Sequence, residues 1–92
     1  MTIRWTPTAL ADLQSVHAYI AEDNHLAAVA TVDHLLDAIR ELGKYPQMGR
    51  PGRASGTREL AVRPYVIAYR PRRNAIQVLA IIHGAGRWPK TF

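Results

Sequence analysis

Apolar residues recur at a helical spacing in the first half of this chain and at every second position in the second half. That change of period constrains the fold more than any other feature, because a helix repeats its buried side every three to four residues and a strand every two. The clearest helical stretch carries Ala28, Val29, Val32, Leu35, Leu36, Ile39 and Leu42 on one side, with Thr31, Asp33, His34, Asp37, Arg40 and Glu41 opposite. An earlier stripe of Leu10, Leu13, Val16 with His17, and Ile20 predicts a helix from Pro7 to about Glu22, with Thr6 as its N-cap. Asp23 and Asn24 break that helix and are placed to cap the next. So short a connection predicts an antiparallel helical hairpin. Gly43 is expected to end the second helix in a left-handed conformation.

Ile3 and Trp5 alternate with Thr2 and Arg4, a short first strand. Further strands are predicted at Arg58–Val62, at Tyr65–Arg70, and at 75–82 after a turn over Pro71–Asn74. The last of these is apolar on both faces and belongs in the middle of a sheet. Residues 45–57 combine prolines, glycines and arginines and read as one long loop. The order is β-α-α-β-β-β, an α+β class. It implies an N-terminal strand and an antiparallel two-helix hairpin packed on one face of a mainly antiparallel sheet of about four strands. Residues 1–92 then form a single domain. Periodicity leaves open whether the first strand pairs with the last strand or an inner one.

Charge divides as sharply as period. Residues 1–49 hold three basic and six acidic side chains, whereas residues 50–92 hold nine basic ones and only Glu59 as an acid. The net charge of +5 therefore sits on the strand half and points to an anionic partner. The sequence has no cysteine, which leaves no disulfide framework and fits a reducing cytoplasm. Neither a signal-peptide pattern nor an apolar run of membrane-spanning length is present, so no membrane role is expected. The spacing of His17, His25 and His34 does not suit a metal site, and Gly49, Gly52 and Gly56 do not match a phosphate-binding loop. No cofactor is expected.

The residues able to carry chemistry are Arg58, Glu59, Arg70, His83 and Arg87, with Tyr69 and Trp88 nearby in sequence, and Glu59, Arg70 and His83 are the catalytic candidates of a ribonuclease. A metal-free ribonuclease needs a base, an acid and fixed cations against the developing phosphorane charge. Glu59 or His83 would be the base and the arginines the clamps. The alternatives are structural. Glu59, flanked by arginines, is most simply a structural ion-pair acceptor, and His83 a satisfied, semi-buried histidine at a strand end. Arg72 and Arg73 are solvated turn residues unless they meet phosphate. Tyr65 and Tyr69 are spaced for sheet packing as well as for stacking on bases.

Several stretches together resemble the RelE/ParE toxin superfamily. They are Ile3-Arg4-Trp5-Thr6-Pro7 with Ala9, Asp12-Leu13 and Tyr19-Ile20; Gly49-Arg50-Pro51-Gly52-Arg53 with Gly56-Thr57-Arg58-Glu59-Leu60; Pro64-Tyr65-Val66-Ile67 with Tyr69-Arg70; and Ile81-Ile82-His83-Gly84-Ala85 with Arg87-Trp88-Pro89. The resemblance spans nearly the whole chain. It implies a cytoplasmic toxin of a type II toxin–antitoxin system, of the kind linked to growth arrest and plasmid stabilisation. It also implies neutralisation by an acidic, partly disordered cognate antitoxin in a hetero-oligomer. RelE-like members cleave ribosome-bound mRNA without a metal, and ParE-like members inhibit DNA gyrase. Here Tyr65-Val66-Ile67 stands where a ribonuclease would place an arginine, and no tyrosine follows His83. The ParE-like reading is therefore favoured, with the RelE-like endoribonuclease and a non-toxic basic nucleic-acid-binding module as alternatives. Similar endings often carry arginine at the position of Gly86. Arg50, Arg53, Arg58, Arg70, Arg87 and Trp88 are the expected contacts for target or antitoxin, with Arg58, Arg70 and Arg87 as anchors for acidic side chains. The helical hairpin would offer a groove, and an edge strand could accept an added one.

Overall fold

In the computed structural model, which describes residues 1–84 and 88, the two helices form where the 3.6-residue period predicts them. Helix α1 spans Pro7–Ala21. The Thr6 hydroxyl accepts the Ala9 N–H at 3.1 Å and donates to the Val78 carbonyl at 2.8 Å. One side chain thus starts the helix and ties it to the sheet. Helix α2 spans His25–Lys44, and Asn24 Oδ1 accepts the Ala27 N–H at 3.0 Å. A cap of this kind stabilises a helix by about 1 kcal/mol.

Five strands form one sheet: β1 (Thr2–Trp5), β2 (Arg50–Pro51), β3 (Arg58–Val62), β4 (Tyr65–Arg72) and β5 (Ala75–His83), in the order β1-β5-β4-β3-β2. The expected four strands become five because the long loop contains the two-residue β2, antiparallel to β3. The first strand takes the last as its neighbour and runs parallel to it, while the remaining pairs are antiparallel. β5 lies inside the sheet, as its two apolar faces require. β4 continues past its expected end to Arg72, which narrows the turn to Arg73 and Asn74. Asn74 adopts a φ of 65°, a conformation asparagine tolerates better than most residues.

The hairpin covers one face. Val16 of α1 and Leu35, Ile39 and Leu42 of α2 pack with Ile67, Tyr69, Ile76 and Val78, and the half-buried Ile3, Trp5 and Leu60 border them. Two predicted core positions turn outward: Leu10 is 48% exposed and Val29 42%. Ala28, on the predicted face, is fully buried, and so is Ala9, which the predicted stripe of the first helix left out. The contact line runs through the small residues, and one position further on the side chain has rotated by about 100°. Gly43 also departs from expectation. It lies inside α2, which is capped by Tyr45. A β-carbon there would sit 3.3 Å from the Met1 carbonyl, so this glycine serves the close approach of β1 to the helix.

β5 breaks its own alternation. Ala68 pairs with Ala80 but Tyr69 pairs with Val78, so Leu79 is an extra residue. Ile76, Val78 and Ile81 belong to the core under the helices, whereas Leu79, Ala80 and Ile82 join Ala68 in a smaller cluster packed by Trp88. β1 ends opposite Val78, and α1 takes up backbone groups of β5 beyond that point. Thr6 Oγ1 lies 3.2 Å from the Leu79 carbonyl, and Asp12 Oδ2 accepts the Ile81 N–H at 3.0 Å. No described helix is long and apolar enough to cross a membrane.

Candidate functional site

The loop before β3 is held down residue by residue. Tyr69 is fully buried from the helix side, and its hydroxyl reaches the loop. It donates to the Pro46 carbonyl at 2.8 Å and accepts the Gly49 N–H at 2.9 Å. A β-carbon on Gly49 would lie 2.8 Å from the Glu59 carbonyl and from the Tyr69 ring, so no other residue fits. Arg58 Nε donates to the Gly49 carbonyl at 2.8 Å. Glu59 is 5% exposed, and both its oxygens are engaged. Oε1 meets Arg50 at 3.2 Å, while Oε2 accepts the Arg53 N–H at 3.0 Å with the Arg53 guanidinium at 3.9 Å. The ion-pair reading of Glu59 matches this geometry. A carboxylate so enclosed and so fully used is poorly placed to accept a proton from a substrate.

Arg53 also stacks its guanidinium 3.7 Å from the centroid of the Trp88 ring. Trp88 in turn packs on Ala68, Leu79, Ala80 and Ile82. The face of the sheet away from the helices thus carries a small apolar floor with Arg53 and Trp88 over it. Arg70, on the same face by strand alternation, lies under the Gly56 turn. Arg87 lies outside the described residues.

His83 belongs to a different place. It pairs across the sheet with Tyr65, their rings meeting edge to face at 5.7 Å. It lines two adjoining clefts on the helix side. One, of about 360 Å³, also involves Asp12, Val16 and Tyr19; the other, of about 470 Å³, also involves Ile20, His34 and Arg63. Arg70 stands five residues along β4 from the partner of His83, about 17 Å at the rise of a strand, and on the opposite face. The residues proposed for ribonuclease chemistry therefore divide: Glu59 and Arg70 share the outer face, and His83 joins neither.

The remaining arginines also take distinct places. Arg40 pairs with Asp37 on the exposed side of α2, and Arg63 lies in the turn beside the larger cleft. Sequence reasoning passed over the structural work of two side chains and the placement of a third. Spacing reads Tyr69 for sheet packing or base stacking and says nothing of its hydroxyl, gives Asp12 no hydrogen-bond partner, and counts Arg4 with the acidic half of the chain. Arg4 had a signal: it alternates with Ile3 and Trp5, so a buried position for those two sends it to the outer face.

The family described as the ParE toxin of the type II toxin–antitoxin system parDE matches residues 3–88. Y4kP of Sinorhizobium fredii, which carries a toxin designation, is 41% identical over 90 residues, covering 96% of this chain and 93% of its own. Toxin RelE2 of Caulobacter vibrioides is 36% identical over 81 residues, covering 88% and 92%. A solved structure of the chromosomal ParDE toxin–antitoxin system from P. aeruginosa superposes with a TM-score of 0.76 at 28% identity, covering 88% of this chain and 92% of that one. Such a match implies an antitoxin partner. Spanning nearly every described element, these likenesses establish that the chain belongs to the ParE toxin family of type II toxin–antitoxin systems.

Proposed function

We propose that this protein arrests growth from the cytoplasm by inhibiting DNA gyrase and is neutralised by a cognate, acidic antitoxin. The dispersal of Glu59, Arg70 and His83 is the observation that carries the first part. General acid–base catalysis needs its groups within hydrogen-bond reach of one reacting atom, and these three stand on two faces, with His83 at the far end of the strands from Arg70. Binding to a target asks for no such convergence. The test is a supercoiling assay with the purified chain. Loss of supercoiling with ribosome-bound mRNA left intact supports the reading; normal supercoiling sinks it.

The antitoxin segment is assigned to the helix–sheet groove lined by Tyr19, Ile20, His34, Val62, Arg63 and Tyr65. Tyr19 is 74% exposed there, an aromatic side chain left for a partner to cover. Among the described residues the groove has no acidic lining side chain, and Arg63 stands at its rim. An acidic, amphipathic segment that folds on binding suits both features. The exposed guanidinium of Arg50 and the half-buried Arg58 at the β2–β3 edge offer further contacts to its carboxylates.

A second reading has one observation in its favour, the name RelE2 borne by the Caulobacter relative. It makes the chain a ribosome-dependent endoribonuclease. Cleavage of ribosome-bound message that disappears in Arg70→Ala and His83→Ala would establish it in place of the first.

A further inference from the structure

Four arginines take no part in holding the loop. Arg4 of β1 stands opposite Gln77 of β5, and Gln77 stands opposite Arg70 of β4. Two strand spacings place the Arg4 and Arg70 backbones about 10 Å apart. Two residue pairs closer to the β4–β5 turn, Arg72 faces Ala75, and Arg73 follows in the turn itself. Ile3, Trp5 and Tyr69 pack under the helices, so alternation directs Arg4, Arg70 and Arg72 to the opposite face. Among the described residues none of these four guanidinium groups has a hydrogen bond or an ion pair. The sequence contains no acidic side chain after Glu59, and Glu59 itself is held by Arg50 and Arg53. The sheet therefore presents a compact cluster of permanent positive charge with no internal counter-charge.

The chemistry around the cluster selects its partner. Guanidinium forks match phosphate oxygens. A single-stranded nucleic acid would also need exposed aromatic faces to stack on. Here Trp5, Tyr65 and Tyr69 pack into the core, and the Trp88 ring lies under Arg53. A folding peptide would need apolar surface beside the charges, but the apolar floor of this face is already packed by Trp88. What is left is recognition of a charged backbone without its bases. We propose that Arg4, Arg70, Arg72 and Arg73 form a binding surface for the phosphate backbone of duplex DNA, separate from the helix–sheet groove assigned to the antitoxin. The surface is independent of which cellular target the toxin attacks.

Fluorescence anisotropy of a labelled 20-base-pair duplex, titrated with the full chain at several salt concentrations, tests this. Four phosphate contacts predict a slope of about −3.6 in log K against log salt, or about 150-fold weaker binding at 200 mM than at 50 mM. Arg4→Gln with Arg70→Gln should lower the slope by about 1.8 and weaken binding at 50 mM by about tenfold or more. Arg40→Gln, on the helix side, should change neither, and thermal melting should show all variants folded. The proposal is overturned if the triple variant Arg4→Gln, Arg70→Gln, Arg72→Gln binds the duplex as the unaltered chain does. It is equally overturned if single-stranded RNA binds more tightly than the duplex, or if a poly-glutamate peptide binds and the duplex does not.

Discussion

Arg50, Arg53 and Arg58 turn their guanidinium groups toward the loop they border, meeting Glu59 and the carbonyls of Gly49 and Gln47. Arg4, Arg70, Arg72 and Arg73, on the same sheet, meet no described acceptor. The first group lies beside the one acid of the basic half; the second lies on β1, on β4 and in the turn after β4, none of which carries an acid. A uniform excess of charge in the sequence thus becomes two regions with different physics. In one, charge organises backbone. In the other, it projects a field into solvent, where a partner rather than the fold must neutralise it.

The largest test of that division is Gly49→Ala. Its β-carbon meets the Glu59 carbonyl and the Tyr69 ring at 2.8 Å, neither of which can retreat within the sheet. We expect a loss of about 2–3 kcal/mol in denaturant unfolding; an unchanged midpoint would mean that the loop floats free of the strands. Tyr69→Phe comes next, at about 1–2 kcal/mol, because the buried Gly49 N–H and the Pro46 carbonyl lose their shared partner. Glu59→Gln keeps the shape but removes the charge from two contacts. It should lower stability by about 1 kcal/mol and speed hydrogen exchange at Arg53, and equal exchange in both proteins would deny Glu59 its organising role. Smallest of all, Arg72→Gln should shift stability by less than about 0.5 kcal/mol. A clear destabilisation there would show that the outer arginines also serve the fold, and the contrast would vanish.

Much of this was legible from residue spacing. Thr6, Pro7 and Asn24 mark helix starts by local hydrogen bonding, which needs no distant partner. Leu35, Ile39 and Leu42 share a helix face whatever the helix packs on. The ion-pair reading of Glu59 was also within reach, since arginines crowd it in sequence. By contrast, the separation of His83 from Arg70 could not be read. It depends on β4 and β5 being antiparallel in a register that pairs His83 with Tyr65, and pairing partners are not written in either strand alone.

Spacing and composition by themselves determined the class of fold, the order of its elements, and the presence of a basic half attached to an acidic helical one. Those properties are sums over near neighbours along the chain. Tertiary structure decided that β1 runs parallel to β5, that Leu79 flips the alternation of a strand, and that Arg4 joins the arginines of the other half. Each of these depends on which strand edges meet, and that choice is made by the packing of the whole sheet beneath its helices.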